Sequence, residues 1–422
     1  MRASAILFSL AAKSLLNRRL TAGLTVLSVA VSVALLIGVD RVRTEARTSF
    51  TNTISGADLI VGARSGPVNL LLYSVFRIGD ATNNIGWESY QEIRSRPEVA
   101  WTIPISLGDS HRGFRVMGTD DGYFAHYRFA RGRALEFADG GVFMNVNDAV
   151  LGADVAESLG YAVGESIIVS HGIGDVSFEN HDELPFKVTG ILARTGTPVD
   201  RTVHVTLAGI EAIHSDWATT PRARESVVAA EAVAEELKPD AITACIVGLE
   251  SRLMLFGLQR FINDYAAEPL MAIVPGVTLQ QLWELLGAAE AALLVVSILV
   301  VAAGLVGMLT TLLTSLAERR REMAVLRSMG AGARLVFGLL LAEAVLLAAV
   351  AALSGVVVVH LAMLAARPLV LANFGFYLHA GLPGGFDLIV VAAVTGAAGL
   401  LATVPAWRAF RLSLADGLTV RT

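Results

Sequence analysis

Charge and cysteine are both scarce in this chain. Only 17% of its residues are Asp, Glu, Lys or Arg, while 54% are hydrophobic and the mean hydropathy is +0.60. Ordinary soluble domains run nearer about a quarter charged, so part of these 422 residues needs a solvent other than water. A single cysteine, Cys245, excludes an internal disulfide framework and any multi-cysteine metal site, and it reads as a buried free thiol. The net charge of −5 makes no electrostatic case for a nucleic-acid partner. The dipeptide Gly-Lys occurs nowhere, so there is no Walker A, G-x-x-x-x-G-K-[ST], and no phosphate cradle of that kind. Ser/His/Asp catalysis has no elbow or local signature here, and the chain is not expected to be an enzyme.

What is abundant is the long apolar run. Leu20–Val39 carries no charge and has about the ~20 residues that a helix needs to cross a bilayer. It is too long for a signal-peptide core, and Asp40-Arg41-Val42-Arg43 follows it in place of a cleavage site, so a retained helix is expected. Before it, Ile6–Leu16 reads as an amphipathic helix lying on the membrane surface. A second run, Leu285–Leu316, is interrupted only by Glu290 and exceeds the ~30 Å hydrocarbon core. Its Glu290 end is expected to project beyond the bilayer, which spares the carboxylate a burial cost of about 2.5–3.5 kcal/mol. The third run, Leu335–Ala366, carries Glu343 and His360, and the fourth, Leu388–Val404, ends at Pro405. Small residues suited to close helix packing in lipid recur in both: Ala351, Ala352 and Gly355, then Gly396, Ala397, Ala398 and Gly399.

Basic residues set the orientation. Arg2, Lys13, Arg18 and Arg19 precede the first run, Arg319, Arg320, Arg321, Arg327 and Arg334 separate the second from the third, and Arg408, Arg411 and Arg421 follow the fourth. The short third-to-fourth loop has Arg367 alone. The positive-inside rule then places both termini and the second-to-third loop in the cytoplasm. The expected division is an amphipathic segment over 1–19, spanning helices at 20–39, 285–316, 335–366 and 388–405, and an extracytoplasmic domain over 40–284. A cytoplasmic loop covers 317–334, a short outer loop 367–387 and a cytoplasmic tail 406–422.

The outer domain has soluble-protein texture. Strand-like runs recur at Asp58–Val61, Ile103–Leu107, Phe114–Met117, Ser166–Val169, Phe186–Leu192 and Val203–Leu207. Helical patches lie between them at Trp87–Arg94, Ala153–Leu159 and Leu253–Tyr265, so an α+β domain is expected. Gly62–Gly66 reads as a turn, and Thr219–Asp240 as an exposed helix or insert. Ser170–Pro185 is a polar, glycine-containing loop, and His171, Asp175, Glu179, His181 and Asp182 mark it as a candidate substrate or partner contact. His171, His181, His204 and His214 are weak metal candidates: none shows an i, i+4 helical pair, and a solvated polar surface is the stronger reading.

Three stretches, Glu318–Ala331 with Glu343–Leu347 and Gly355, then Val404–Arg411, and in the outer domain Val150–Gly160 with Val163–Ile167 and Phe186–Leu192, resemble the MacB/FtsX/LolC-type (type VII, mechanotransmission) ABC transporter permeases. Glu318-Arg319-Arg320-Arg321-Glu322-Met323-Ala324-Val325-Leu326-Arg327-Ser328-Met329-Gly330-Ala331, running on to Glu343-Ala344-Val345-Leu346-Leu347 and Gly355, is similar to that family's E-R-x-x-E-I-x-x-L-R-A-x-G-A and E-a-x-L-L stretches. Val404-Pro405-Ala406-Trp407-Arg408-Ala409-Phe410-Arg411 resembles its closing motif, with Leu414 where proline is usual. Val150–Gly160, Val163–Ile167 and Phe186–Leu192 look like the MacB-type periplasmic core.

The resemblance implies a multi-pass protein of the bacterial inner membrane, with four transmembrane helices and a large α+β MacB-like periplasmic domain between the first and second. It also implies that Glu318, Arg319, Arg320, Arg321, Glu322, Met323, Leu326, Arg327, Met329 and Gly330 form the coupling helix that contacts a cytoplasmic ABC ATPase. A short helix with a basic face, and with Met323, Leu326 and Met329 on another, is physically suited to dock into a partner's groove. Its bland alternative is a basic loop on anionic headgroups. No cofactor is expected on this chain, since ATP and Mg belong to the ATPase. The remaining expected partners are a second copy or a paralogous permease, membrane lipid, and a periplasmic lipoprotein, adaptor or hydrolase. Export or extraction of a lipid-linked, amphipathic or peptide-like substrate is the leading function. The alternatives are an FtsX-like regulatory permease that activates an extracytoplasmic partner and a metal- or haem-linked exporter.

Overall fold

The computed structural model describes residues 2–171, 184–215, 236–318, 328, 332–374 and 382–411. They fall into two units. One holds Met1–Glu45, Gly287–Leu369 and Leu378–Thr422, and the other Ala46–Leu286 and Val370–Tyr377. The principal helices in chain order are α1 (Arg2–Asn17), α2 (Arg19–Thr53), α3 (Trp87–Arg94), α4 (Ala153–Leu159), α5 (Leu207–His214), α6 (Leu255–Asn263), α7 (Pro275–Glu318), α8 (Ala333–Phe374) and α9 (Gly385–Arg411). Of these, α2, α7, α8 and α9 are long and apolar enough to cross a membrane.

The first unit is a helical bundle whose inner stripes follow from residue size at helical spacing. Val29, Ala30, Val33 and Ile37 are buried on α2, and Ala344, Ala348, Ala351 and Ala352 on α8. Alanine and glycine let backbones approach closely where lipid offers no hydrophobic drive to associate. A Cβ on Gly355 would fall 2.7 Å from the Ala30 carbonyl oxygen, and one on Gly304 of α7 would fall 2.9 Å from Ser32 Oγ. Leu7 and Ala11 of α1 pack against Leu339 and Ala342 of α8. The opposite faces stay apolar and uncovered, as at Leu299, Leu361 and Leu400, which suits contact with acyl chains. The helix that carries the fourth apolar run starts at Gly385 and continues through Pro405 to Arg411.

The second unit is built on a mixed sheet of eleven strands among the described residues. They are β1 (Leu59–Ala63), β2 (Val99–His111), β3 (Phe114–Thr119), β4 (Phe137–Gly140), β5 (Asp148–Leu151), β6 (Ser166–Ile167), β7 (Ser170–His171), β8 (Phe186–Leu192), β9 (Thr202–Thr206), β10 (Ala244–Leu249) and β11 (Leu270–Ile273). The order is β11-β1-β10-β2-β3-β9-β5-β8-β4, with β7 pairing β2 and β6 pairing β8. The β9–β3 and β8–β5 pairs are parallel.

Both faces of the sheet are covered. Ile60 of β1 and Ile246 of β10 enter one core with Ile103, Met117 and Phe124, while Leu59, Val61, Cys245 and Val247 enter another with Tyr90, Ile93 and Leu258. Strands buried on both sides read as continuous apolar runs, which is why β1 and β10 show no polar alternation. Cys245 is a fully buried free thiol, and burial pushes its pKa up to about 12. The turn expected at Gly62–Gly66 is corrected at its start: Gly62 lies inside β1, where a side chain would collide with Leu70 and Tyr73.

Candidate functional site

The segment that separates the second and third apolar runs is held at both ends. Leu316, in the last turns of α7, and Val336 and Leu340, in the first turns of α8, share a core with Ala406 and Ala409 of α9. That cluster keeps the two helix ends as neighbours. Glu318 ends α7. Arg319, Arg320, Arg321, Glu322, Met323, Leu326, Arg327, Met329 and Gly330 lie outside the described residues.

Beside the same helix ends is a small cleft of about 40 Å³. Arg18 donates from Nη1 to Ser315 Oγ at 2.6 Å, tying the start of α2 to the end of α7. Glu343 of α8, only 3% exposed, lines this cleft with Thr21 and Thr311. Arg18 and Ser315 are functional candidates that sequence reasoning missed. Arg18 counted there only as a topogenic charge, and no motif links residues 297 positions apart.

At the opposite end of the bundle two ion pairs appear. Arg41 Nη2 meets Asp387 Oδ2 at 2.5 Å, and Arg43 Nε meets Glu290 Oε2 at 2.9 Å. Glu290 therefore sits opposite a cation.

The histidine-rich stretch resolves into separate environments. β7 sets His171 opposite Asp109 of β2, while Asp175, Glu179, His181 and Asp182 lie outside the described residues. His214 Nε2 lies 3.5 Å from Asp109 Oδ1, and this contact raises its pKa. His204 is corrected from a weak metal candidate to a core residue. Its strand is buried on both faces, its ring packs against Tyr123 and Phe124, and Val150 O lies 3.1 Å from Nδ1. Among the described residues no three His, Cys, Asp or Glu side chains come together as a metal site would need.

Burial holds the His204 pKa down at about 3, with the Arg77 guanidinium adding to the effect. Burial with Asp121 nearby raises Asp120 to about 7. The two act in opposite senses. His204, depressed below its ordinary 6.5, contributes stability that is lost as pH falls from 6.5 toward 3. Asp120, raised from 3.8, contributes stability present below that value and lost as pH rises through 7. Between pH 7 and 5 each changes stability by about 2 kcal/mol, and the two contributions nearly cancel. Asp120→Asn should uncover the histidine: the ratio of hydrogen exchange at β9 amides at pH 5 to that at pH 7, corrected for intrinsic rates, should rise about thirtyfold over the parent's. Unchanged protection in that variant would refute the assignment.

Residues 22–240 match the family model of the MacB-like periplasmic core domain, just over half of the chain, and residues 294–414 match that of the FtsX-like permease C-terminal region. The chain belongs to the MacB/FtsX-type ABC permeases. As a member of this family it is a multi-pass membrane protein and the permease component of an ABC transporter, a family that works with a cytoplasmic ATPase. It is similar to the periplasmic region of MacB from Actinobacillus actinomycetemcomitans at 10% identity and TM-score 0.35, over 55% of this chain and 94% of that one. It is also similar to the extracellular domain of the noncanonic ABC-type transporter YknZ from Gram-positive bacteria at 13% identity and TM-score 0.30, over 51% and 98%. No match was found among curated proteins. Four apolar helices and a mixed α/β periplasmic-type domain are the architecture expected of such a permease.

Proposed function

We propose that this permease couples ATP hydrolysis on a separate ATPase subunit to movement of its α/β domain, for export or extraction of a lipid-linked, amphipathic or peptide-like substrate. The observation that carries the reading is the length of two helices. α2 has 35 residues and α7 has 44, about 52 and 66 Å at the usual rise per residue, against a hydrocarbon core of ~30 Å. Each runs unbroken from membrane-spanning residues into residues of the α/β unit. A continuous hydrogen-bonded helix is stiff enough to carry displacement along its axis.

The input end of such a lever would be the connection after Glu318. Its arginines match the family's coupling helix, and the Leu316–Val336–Ala406 core supplies a fixed base for it. In the same reading Arg18 and Ser315 lock the start of α2 to α7, so that the two helices respond together.

The direct test is charge reversal of the pair Arg320→Glu and Arg321→Glu in the full chain. Co-purification with the cognate ATPase should fall about tenfold or more, because buried or clustered charge contacts across an interface cost 2 kcal/mol and upward when broken. Membrane insertion should be unaffected. Undiminished complex and undiminished ATPase stimulation would remove the coupling assignment.

A further inference from the structure

β11 ends the sheet. It pairs with β1 on one side, and α6 and the first turns of α7 close over the other. Between these elements lies an open cleft of about 360 Å³, within the ~300–1,000 Å³ typical of small-molecule sites. Its walls are mainly apolar, with Phe256, Met271, Ile273 and Val277 among them.

Three outward-facing backbone groups of the strand at the floor are already bonded to side chains. Ala272 N–H donates to Asn263 Oδ1 at 2.8 Å, and Ala272 C=O accepts from Gln259 Nε2 at 3.0 Å. Leu270 C=O accepts from Arg64 Nε at 3.3 Å. A peptide adding as a further strand would need those groups, so the cleft favours a ligand that brings methylenes and no backbone.

Three further observations narrow the occupant. Phe256 is 74% exposed and neighbouring Leu253 is 94% exposed, an apolar surface of the kind that marks contact with lipid or ligand. Gln281 lines the cleft on α7 and precedes Leu285, where the apolar run begins, by four residues. At the helical rise that is about 6 Å, close to the depth of a headgroup layer. Arg64 is the one charged residue among those lining the cleft, and Arg260 lies one turn beyond Phe256 on the same helix.

We propose that this cleft takes an acyl chain of an anionic phospholipid from the leaflet nearest the α/β domain, with Arg64 meeting the phosphate. The site needs no ATPase, so it stands or falls separately from the coupling reading.

The test is photo-crosslinking of the full chain in nanodiscs containing phosphatidylglycerol with a diazirine at the acyl terminus, the adducts being mapped by mass spectrometry. Wild type should carry adducts within residues 256–281. Val277→Trp, which fills the cleft from an exposed position, should remove them while adducts on the spanning helices persist, and that persistence serves as the folding control. Arg64→Gln should lower the preference for phosphatidylglycerol over phosphatidylcholine about fivefold, and Arg64→Lys should keep it. Adducts confined to the spanning helices in wild type would overturn the proposal. So would equal labelling by the two lipids, or a co-purifying peptide that blocks labelling of the cleft.

Discussion

Asp387→Asn should destabilise the helical bundle by about 3 kcal/mol, the lower end of the cost of breaking a buried ion pair. Asp387 sits in the first turn of α9 and is 1% exposed. Its Oδ2 accepts from Arg41 Nη2 at 2.5 Å and from the Gly384 N–H at 2.7 Å. A carboxylate there is favoured twice, by the guanidinium and by the positive end of the helix dipole. Asparagine keeps the size and can keep one hydrogen bond, but it leaves the Arg41 charge uncompensated. Arg41 retains partial contact with solvent, which is why the lower figure applies. Thermal denaturation in detergent should show the drop. A paired Arg41→Met and Asp387→Leu variant should lose less than the sum of the single changes, because neither charge is then stranded. A full additive loss would show that the two side chains do not act as a pair.

Gly355→Leu should cost a similar amount, about 3 kcal/mol at the upper end of overpacking, and should reduce coupled activity with it. A side chain at this position meets the Ala30 carbonyl oxygen at 2.7 Å and Val33 Cβ at 2.9 Å, so α2 and α8 must separate. The control is the same replacement at Gly396, where a Cβ meets nothing within 4 Å. Gly396→Leu should stay within about 1 kcal/mol of the parent, since only helix propensity changes. Equal losses at the two glycines would discard the α2–α8 crossing as the reason for Gly355.

These two glycines show where reading the sequence stops. Both stand in apolar runs rich in small residues, and both were expected to allow close packing. Only the crossing geometry distinguishes them, because contact depends on which face of a helix meets a neighbour. Local elements were more legible. Trp87–Arg94, Ala153–Leu159 and Phe186–Leu192 appear with the bounds expected of them, since cap residues, periodicity and β-branched runs are properties of the segment itself. His204 was not legible as a core residue. β9 reads Thr-Val-His-Val-Thr, an alternation that assigns His204 to a solvated face, whereas both faces of the sheet are covered and all five residues are buried.

The sequence by itself determined the four long apolar helices, the large domain between the first and second, the family, and the absence of a Gly-Lys phosphate cradle. Each of these depends on composition or order within one window of chain, and hydropathy is close to additive along it. Only the tertiary structure decided that Arg41 meets Asp387 across 346 positions, that Arg18 meets Ser315 across 297, and that Gln259 and Asn263 seal the strand edge beneath an apolar cleft. Those pairings depend on how helices cross and how strands order. Distances in space set them, and one-dimensional patterns carry no information about such distances.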